Sequence, residues 1–91
     1  MDVVKLDKAQ KQIKKLPEHI KIKLLAWAKS VERDGIRKVR MLKGYHDEPL
    51  RGTRKGQRSI RLSISYRAIY VETNDGTINF IIVEEVSKHD Y

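Results

Sequence analysis

Arg58-Ser59-Ile60-Arg61-Leu62-Ser63-Ile64-Ser65-Tyr66-Arg67-Ala68-Ile69-Tyr70-Val71-Glu72 is the stretch on which the fold turns. Ile60, Leu62 and Ile64 alternate with Ser59, Arg61 and Ser63, the two-residue period of a strand with one face on a core. Tyr66 to Glu72 reads as a second strand, and Asn74-Asp75-Gly76 is a strong turn signal because these residues tolerate the backbone of tight hairpins. Beyond it, Thr77 to Val86 is long and nearly all apolar, the pattern of a central strand buried on both faces.

Upstream of Arg58 the periodicity stops. Residues 36 to 57 crowd Arg37, Lys38, Arg40, Lys43, Arg51, Arg54 and Lys55 between Gly44, Pro49, Gly52 and Gly56. This is a long basic connection, with room for a helical turn at its start. Further back, Ile20, Leu24, Trp27, Ala28 and Val31 recur at three- and four-residue steps, with Lys21, Lys23, Lys29 and Arg33 outward and Gly35 as a stop. Pro17 suits the first turn of that helix. Before it, Asp7 can cap a helix carrying Ala9, Ile13 and Leu16, and Val3, Val4 and Leu6 lean towards a strand.

The order β-α-α-β-β-β predicts an α+β domain spanning residues 1–91. Its N-terminal helix pair covers one face of a twisted, mainly antiparallel sheet and leaves the other face free. A chain of 91 residues has room for one such core and no second module. Lys and Arg number 20 against 12 Asp and Glu, a net charge of +8 that favours a polyanionic partner, nucleic acid first and acidic protein next. Cysteine is absent, so thiolate chemistry is excluded and a zinc site would depend on three scattered histidines; no metal and no cofactor is expected. With no signal-peptide core and no apolar run near the length of a membrane span, a cytoplasmic location is expected.

Charged side chains on the expected strands must point at solvent, a partner or a ligand. Arg61 and Arg67 approach each other if their strands pair through Ser63-Ile64-Ser65, and two guanidinium forks suit a phosphate as readily as they suit a solvated sheet face. Glu48, in the basic connection beside Asp47, is either a salt-bridge partner or a general base. The ending Lys88-His89-Asp90-Tyr91 offers an imidazole that exchanges protons near neutral pH and a ring that can stack on a base, or else it is a frayed polar end. Taken together, these groups are enough to cleave RNA. A base removes the 2′-hydroxyl proton, cations stabilise the phosphate and an acid protonates the leaving 5′-oxygen. Lys43, Arg51, Arg54, Lys55 and Arg58 would hold the RNA backbone on either side.

Glu48-Pro49-Leu50-Arg51-Gly52, Gly56-Gln57-Arg58-Ser59-Ile60-Arg61-Leu62 and Tyr66-Arg67-Ala68-Ile69-Tyr70 together resemble the core motif of the RelE/ParE toxin superfamily. The resemblance covers almost the whole chain, including the helix pair before the motif and the His-x-Tyr ending after it. It implies a toxin of a type II toxin-antitoxin system, with a cognate antitoxin and a hetero-oligomeric complex. The similarity is greatest to the ribosome-associated messenger-RNA interferases, especially the YoeB-like branch. That branch implies metal-independent endoribonuclease activity on messenger RNA at the ribosome, with Glu48 as general base, Arg67 as phosphate clamp and His89 as general acid. Arg61 falls where the RelE-like branch has a basic strand residue, and Tyr91 where the family has its terminal tyrosine. Asp90, standing between His89 and Tyr91, leaves open which of them donates the proton. The Lys-His-Asp-Tyr ending is also similar to the ParE-like subgroup, which implies the alternative of a DNA gyrase inhibitor without nuclease activity.

Overall fold

The computed structural model describes residues 1–88. Strand β1 (Asp2–Lys5) leads through a 3-10 turn into helix α1 (Gln10–Lys14), followed by α2 (Glu18–Asp34) and α3 (Ile36–Arg40). Strands β2 (Glu48–Pro49), β3 (Arg58–Arg61), β4 (Tyr66–Asn74) and β5 (Asn79–Lys88) complete the domain. The five strands form one sheet in the order β1-β5-β4-β3-β2, parallel between β1 and β5 and antiparallel elsewhere. The α+β class, the helices on one face and the interior place of the long strand are as expected.

Helix α2 forms where the apolar period predicts it. Ile20, Leu24, Trp27, Ala28 and Val31 are all buried, and they meet Ile60, Leu62, Ala68, Tyr70, Ile81, Val83 and Val86 from the sheet. Each fully buried aliphatic side chain of this kind contributes about 1.5–3 kcal/mol, so the cluster is the main source of stability. Pro17, with φ −56° and ψ 148°, stands just ahead of the helix instead of in its first turn. Asp7 does not cap: it lies inside the 3-10 turn Asp7–Ala9, and the helix after it is only five residues long. At Gly35 the backbone has φ 90°, a left-handed value that glycine adopts without a Cβ penalty, so α3 can start at once in a new direction. The Ile36 N–H then donates to the Asp2 carboxylate at 2.7 Å, tying the start of α3 to β1.

Two expectations need correcting. β2 is a fifth strand inside the supposed connection, too short to show a period, and its Pro49 is tolerated because β2 lies at the sheet edge. β5 is interior to the sheet but buried on one face only: Ile81, Val83 and Val86 enter the core, while Phe80, Ile82 and Glu85 are half-exposed. At the opposite edge, the outward N–H of Val4 on β1 donates to Glu32 of α2 at 2.9 Å, which blunts the strand as a template for further pairing. Among the described residues no helix is long and apolar enough to cross a membrane.

Candidate active site

The open face of the sheet takes its geometry from strand register. Glu48 lies opposite Ser59, and Arg61 lies directly opposite Arg67. Diagonal neighbours across an antiparallel pair are about 7–8 Å apart, within reach of long side chains, so Glu48 can share a space with Arg61. It does: a pocket of about 130 Å³ is lined by His46, Glu48, Arg61, Ser63, Tyr66 and Arg67, among others. Like charges directly opposite each other repel, and Arg61 and Arg67 stand in that relation. The loop between these strands is held by its own backbone, with the N–H groups of Leu62 and Ser63 both donating to the Tyr66 carbonyl.

Arg67 also borders a wider groove of about 330 Å³, continued by Leu50, Arg51, Arg54, Ile69, Glu85, Ser87 and Lys88. A β-bulge positions its floor: Ile69 pairs with Glu85 and Tyr70 with Val83, so Glu84 is the extra residue. Both carboxylates then hold the basic connection. Arg54 donates to Glu85 at 3.2 Å and to Gln57 at 3.2 Å, and Gln57 donates to Glu84 at 3.0 Å. The hydrogen bond from Gln57, helped by Lys8 at 3.3 Å and opposed by partial burial, holds the Glu84 carboxyl below the ordinary carboxylate range.

Of the side chains expected to bind RNA, Arg51 and Arg54 line this groove. Lys43 and Lys55 are exposed but line neither space. Arg58 has a different role: its Nε donates to Asp47 at 2.6 Å on the helix-covered side, so it is a structural ion-pair partner rather than a groove residue. Asp47, whose side chain is only 1% exposed, also accepts from the Tyr70 hydroxyl and lies 3.9 Å from Arg40. Arg40 in turn donates to Tyr70 at 3.2 Å and pairs with Glu72. Burial works against the Arg40 charge, but the bonds to Glu72 and Tyr70 outweigh it and raise its pKa above that of an ordinary arginine. Burial, reinforced by the hydrogen bond to Asp47, pushes the Tyr70 hydroxyl well above the ordinary tyrosine range, and Arg40 only partly offsets this.

His89 and Tyr91 lie outside the described residues. The last described residue, Lys88, pairs with Tyr66, which brings β5 beside the pocket. Sequence reasoning missed His46, which lines the pocket with a left-handed backbone (φ 45°, ψ 48°), uncommon for a residue with a Cβ. No spacing or motif marks it. Among the described residues no set of three or more His, Asp or Glu converges as a metal ligand set would.

No family model and no curated protein sequence matches the chain. Solved structures do. The chain is similar to the YoeB/ParE toxin from Agrobacterium tumefaciens, with TM-score 0.71 and 17% identity over 98% of both chains. It is similar to a chain of the toxin-antitoxin complex RelBE2 from Mycobacterium tuberculosis, with TM-score 0.65 and 21% identity over 98% of this chain and 96% of that one. A third likeness is to the heterotetrameric YoeB-YefM toxin-antitoxin complex from Staphylococcus aureus, with TM-score 0.64 and 19% identity over 100% and 97%. The chain therefore has the RelE/YoeB-like toxin fold, as its motif suggested.

Proposed function

We propose that this chain is the toxin of a type II toxin-antitoxin system, and that it cuts messenger RNA at the ribosome in the cytoplasm without a metal. The observation that carries the reading is the convergence of Glu48, Arg61 and Arg67 on one pocket, with a cationic groove that shares Arg67 with it. The toxin role is supported by solved structures of the same fold, which include toxin-antitoxin complexes. A protein with a net charge of +8 also suits an acidic or amphipathic antitoxin that folds as it binds.

In this mechanism Glu48 takes the 2′-hydroxyl proton and the 2′-oxygen attacks the adjacent phosphorus. Arg67 and Arg61 stabilise the charge that builds on the phosphoryl oxygens, the role that preorganised cations fill best. The bond to the 5′-oxygen breaks, and His89 or Tyr91 supplies its proton, leaving a 2′,3′-cyclic phosphate and a 5′-hydroxyl. The ribosome holds the 2′-oxygen in line with the scissile bond, which makes free RNA a poor substrate. A gyrase-directed binding module would need no acid facing two arginines across a pocket, which is why the nuclease reading is preferred.

The test is to express the chain without a partner and look for growth arrest with cut messenger RNA. Accumulation of gyrase-linked DNA breaks with intact RNA would replace the nuclease with the gyrase inhibitor, and harmless expression would remove the toxin reading. Cleavage on magnesium-loaded ribosomes should persist when transition metals are chelated; dependence on an added transition metal would contradict the mechanism. Removing the residues after Lys88 should abolish cleavage, and unchanged activity would rule out His89 and Tyr91 as proton donors.

A further inference from the structure

The segment that carries Glu48 has little strand pairing to hold it in place. β2 is two residues long, pairs on one side only, and includes a proline with no N–H to donate. His46, just before it, is in the left-handed region, a conformation that persists only where the surroundings enforce it. Asp47, between them, is the most buried and most tightly bound side chain of the segment. It faces the helix-covered side, where it accepts from Arg58 of β3 and Tyr70 of β4 and lies near Arg40 of α3, while both its neighbours line the pocket.

We infer that Asp47 is a positioning residue: its buried bonds to Arg58 and Tyr70 clamp the loop and present Glu48, with His46, to the pocket. The clamp is balanced in charge, with the guanidinium groups of Arg40 and Arg58 against the carboxylates of Asp47 and Glu72, so the buried Asp47 sits at the edge of the core without being an uncompensated ion. Tyr70 is itself fixed by tilted contact with Trp27, ring centroids 5.4 Å apart, so the anchor is continuous with the packed interior. Sequence spacing hides this arrangement because the partners are 11 and 23 residues from Asp47.

The inference rests on the nuclease reading, and the test separates the two. Tyr70→Phe keeps the ring in the core and removes one bond to Asp47; Asp47→Asn removes the charge itself and serves as the second variant. Cleavage is measured in single turnover on a short synthetic messenger RNA bound to purified ribosomes, alongside thermal melting. The expected result is a rate roughly tenfold or more lower, with apparent affinity for the programmed ribosome unchanged. In a Glu48→Gln background the same change should cost little further, because a residue that acts through another is not additive with it. Equal loss in both backgrounds, or a folded Tyr70→Phe protein cutting at the parent rate, would overturn the clamp. If Asp47→Asn does not fold, the Tyr70→Phe cycle decides alone. Glu48→Gln cutting as fast as the parent would instead sink the nuclease reading itself.

Discussion

On the helix-covered face of the sheet, Arg40 and Arg58 meet Asp47 and Glu72, and their charges cancel at the edge of the apolar core. On the open face, Arg61 stands directly across from Arg67, and Arg51, Arg54 and Lys88 follow along the same groove with Glu85 as the carboxylate among them. The two faces use the same residue types. One spends them on holding elements together, whereas the other, among the described residues, lines its groove with more cations than carboxylates. For Arg58, Arg61 and Arg67, what assigns one duty or the other is which face the strand position gives and what stands opposite.

That contrast is open to experiment, and the largest effect belongs to the exposed acid. Glu48→Gln should lower the cleavage rate by about 10² to 10⁴ if the carboxylate is the general base. Because Glu48 is exposed, the melting temperature should hardly move. A rate within a few fold of the parent protein's would make Glu48 a bystander. Arg58→Ala, on the covered face, should instead act on stability first, and lower cleavage only through the loosened clamp on Glu48. It leaves the buried Asp47 carboxylate short of its nearest cation, so a loss of about 3 kcal/mol is expected. For a domain of this size that is a fall of roughly 10 °C or more in melting temperature. Stability unchanged in Arg58→Ala, by calorimetry, would mean that Asp47 is satisfied without it.

Arg67→Ala comes next, with cleavage slowed about a hundredfold and the fold intact. Arg67→Lys should recover little, since a single ammonium cannot replace a planar fork on a phosphate. Full recovery by lysine would reduce the role of Arg67 to charge alone.

How far these assignments could be read in advance differs between the faces. The helix-covered face was legible because apolar burial leaves a period: Ile20, Leu24, Trp27, Ala28 and Val31 appear at helical spacing, and Ile60 and Leu62 at strand spacing. The opposition of Arg61 and Arg67 was legible too, since a tight turn between two consecutive strands fixes their register. Arg58 was misread because its side chain is a long stem with a charged head. Alternation alone would have put it on the face of Ile60, but its charge suggested the groove. The Asp47 clamp joins residues far apart in sequence, and β2 is too short to carry a pattern. The end of β5 shifted from the expected Val86 to Lys88 because pairing with Tyr66 and Arg67 carries the strand past its apolar run.

A smaller effect is expected at the groove. Arg54→Ala should weaken binding to programmed ribosomes several-fold and lower the salt dependence of that binding by about one unit of slope. Its catalytic rate at saturation should stay near the parent's. Stability should change little, because the lost pair with Glu85 is partly exposed and such pairs contribute about 0–1 kcal/mol. A large drop in the saturated rate would move Arg54 from the groove's binding set to the reacting phosphate.

The smallest effect is the most discriminating, because it has the opposite sign. Arg61 and Arg67 occupy directly paired positions, where like charges work against the sheet. Arg61→Thr removes that repulsion and supplies a residue that suits a strand, so urea denaturation should show the variant more stable by about 0.2–1 kcal/mol. Cleavage should fall at the same time, since one of the two cations is gone. Arg61→Lys separates charge from strand preference: it keeps the repulsion and should leave stability where it was. In an Arg67→Ala background Arg61→Thr should give less stabilisation, since the repulsion can be relieved only once. An equal gain in both backgrounds would trace the effect to strand preference, and a loss of stability in Arg61→Thr would mean that the arginine stems support the sheet more than their charges strain it.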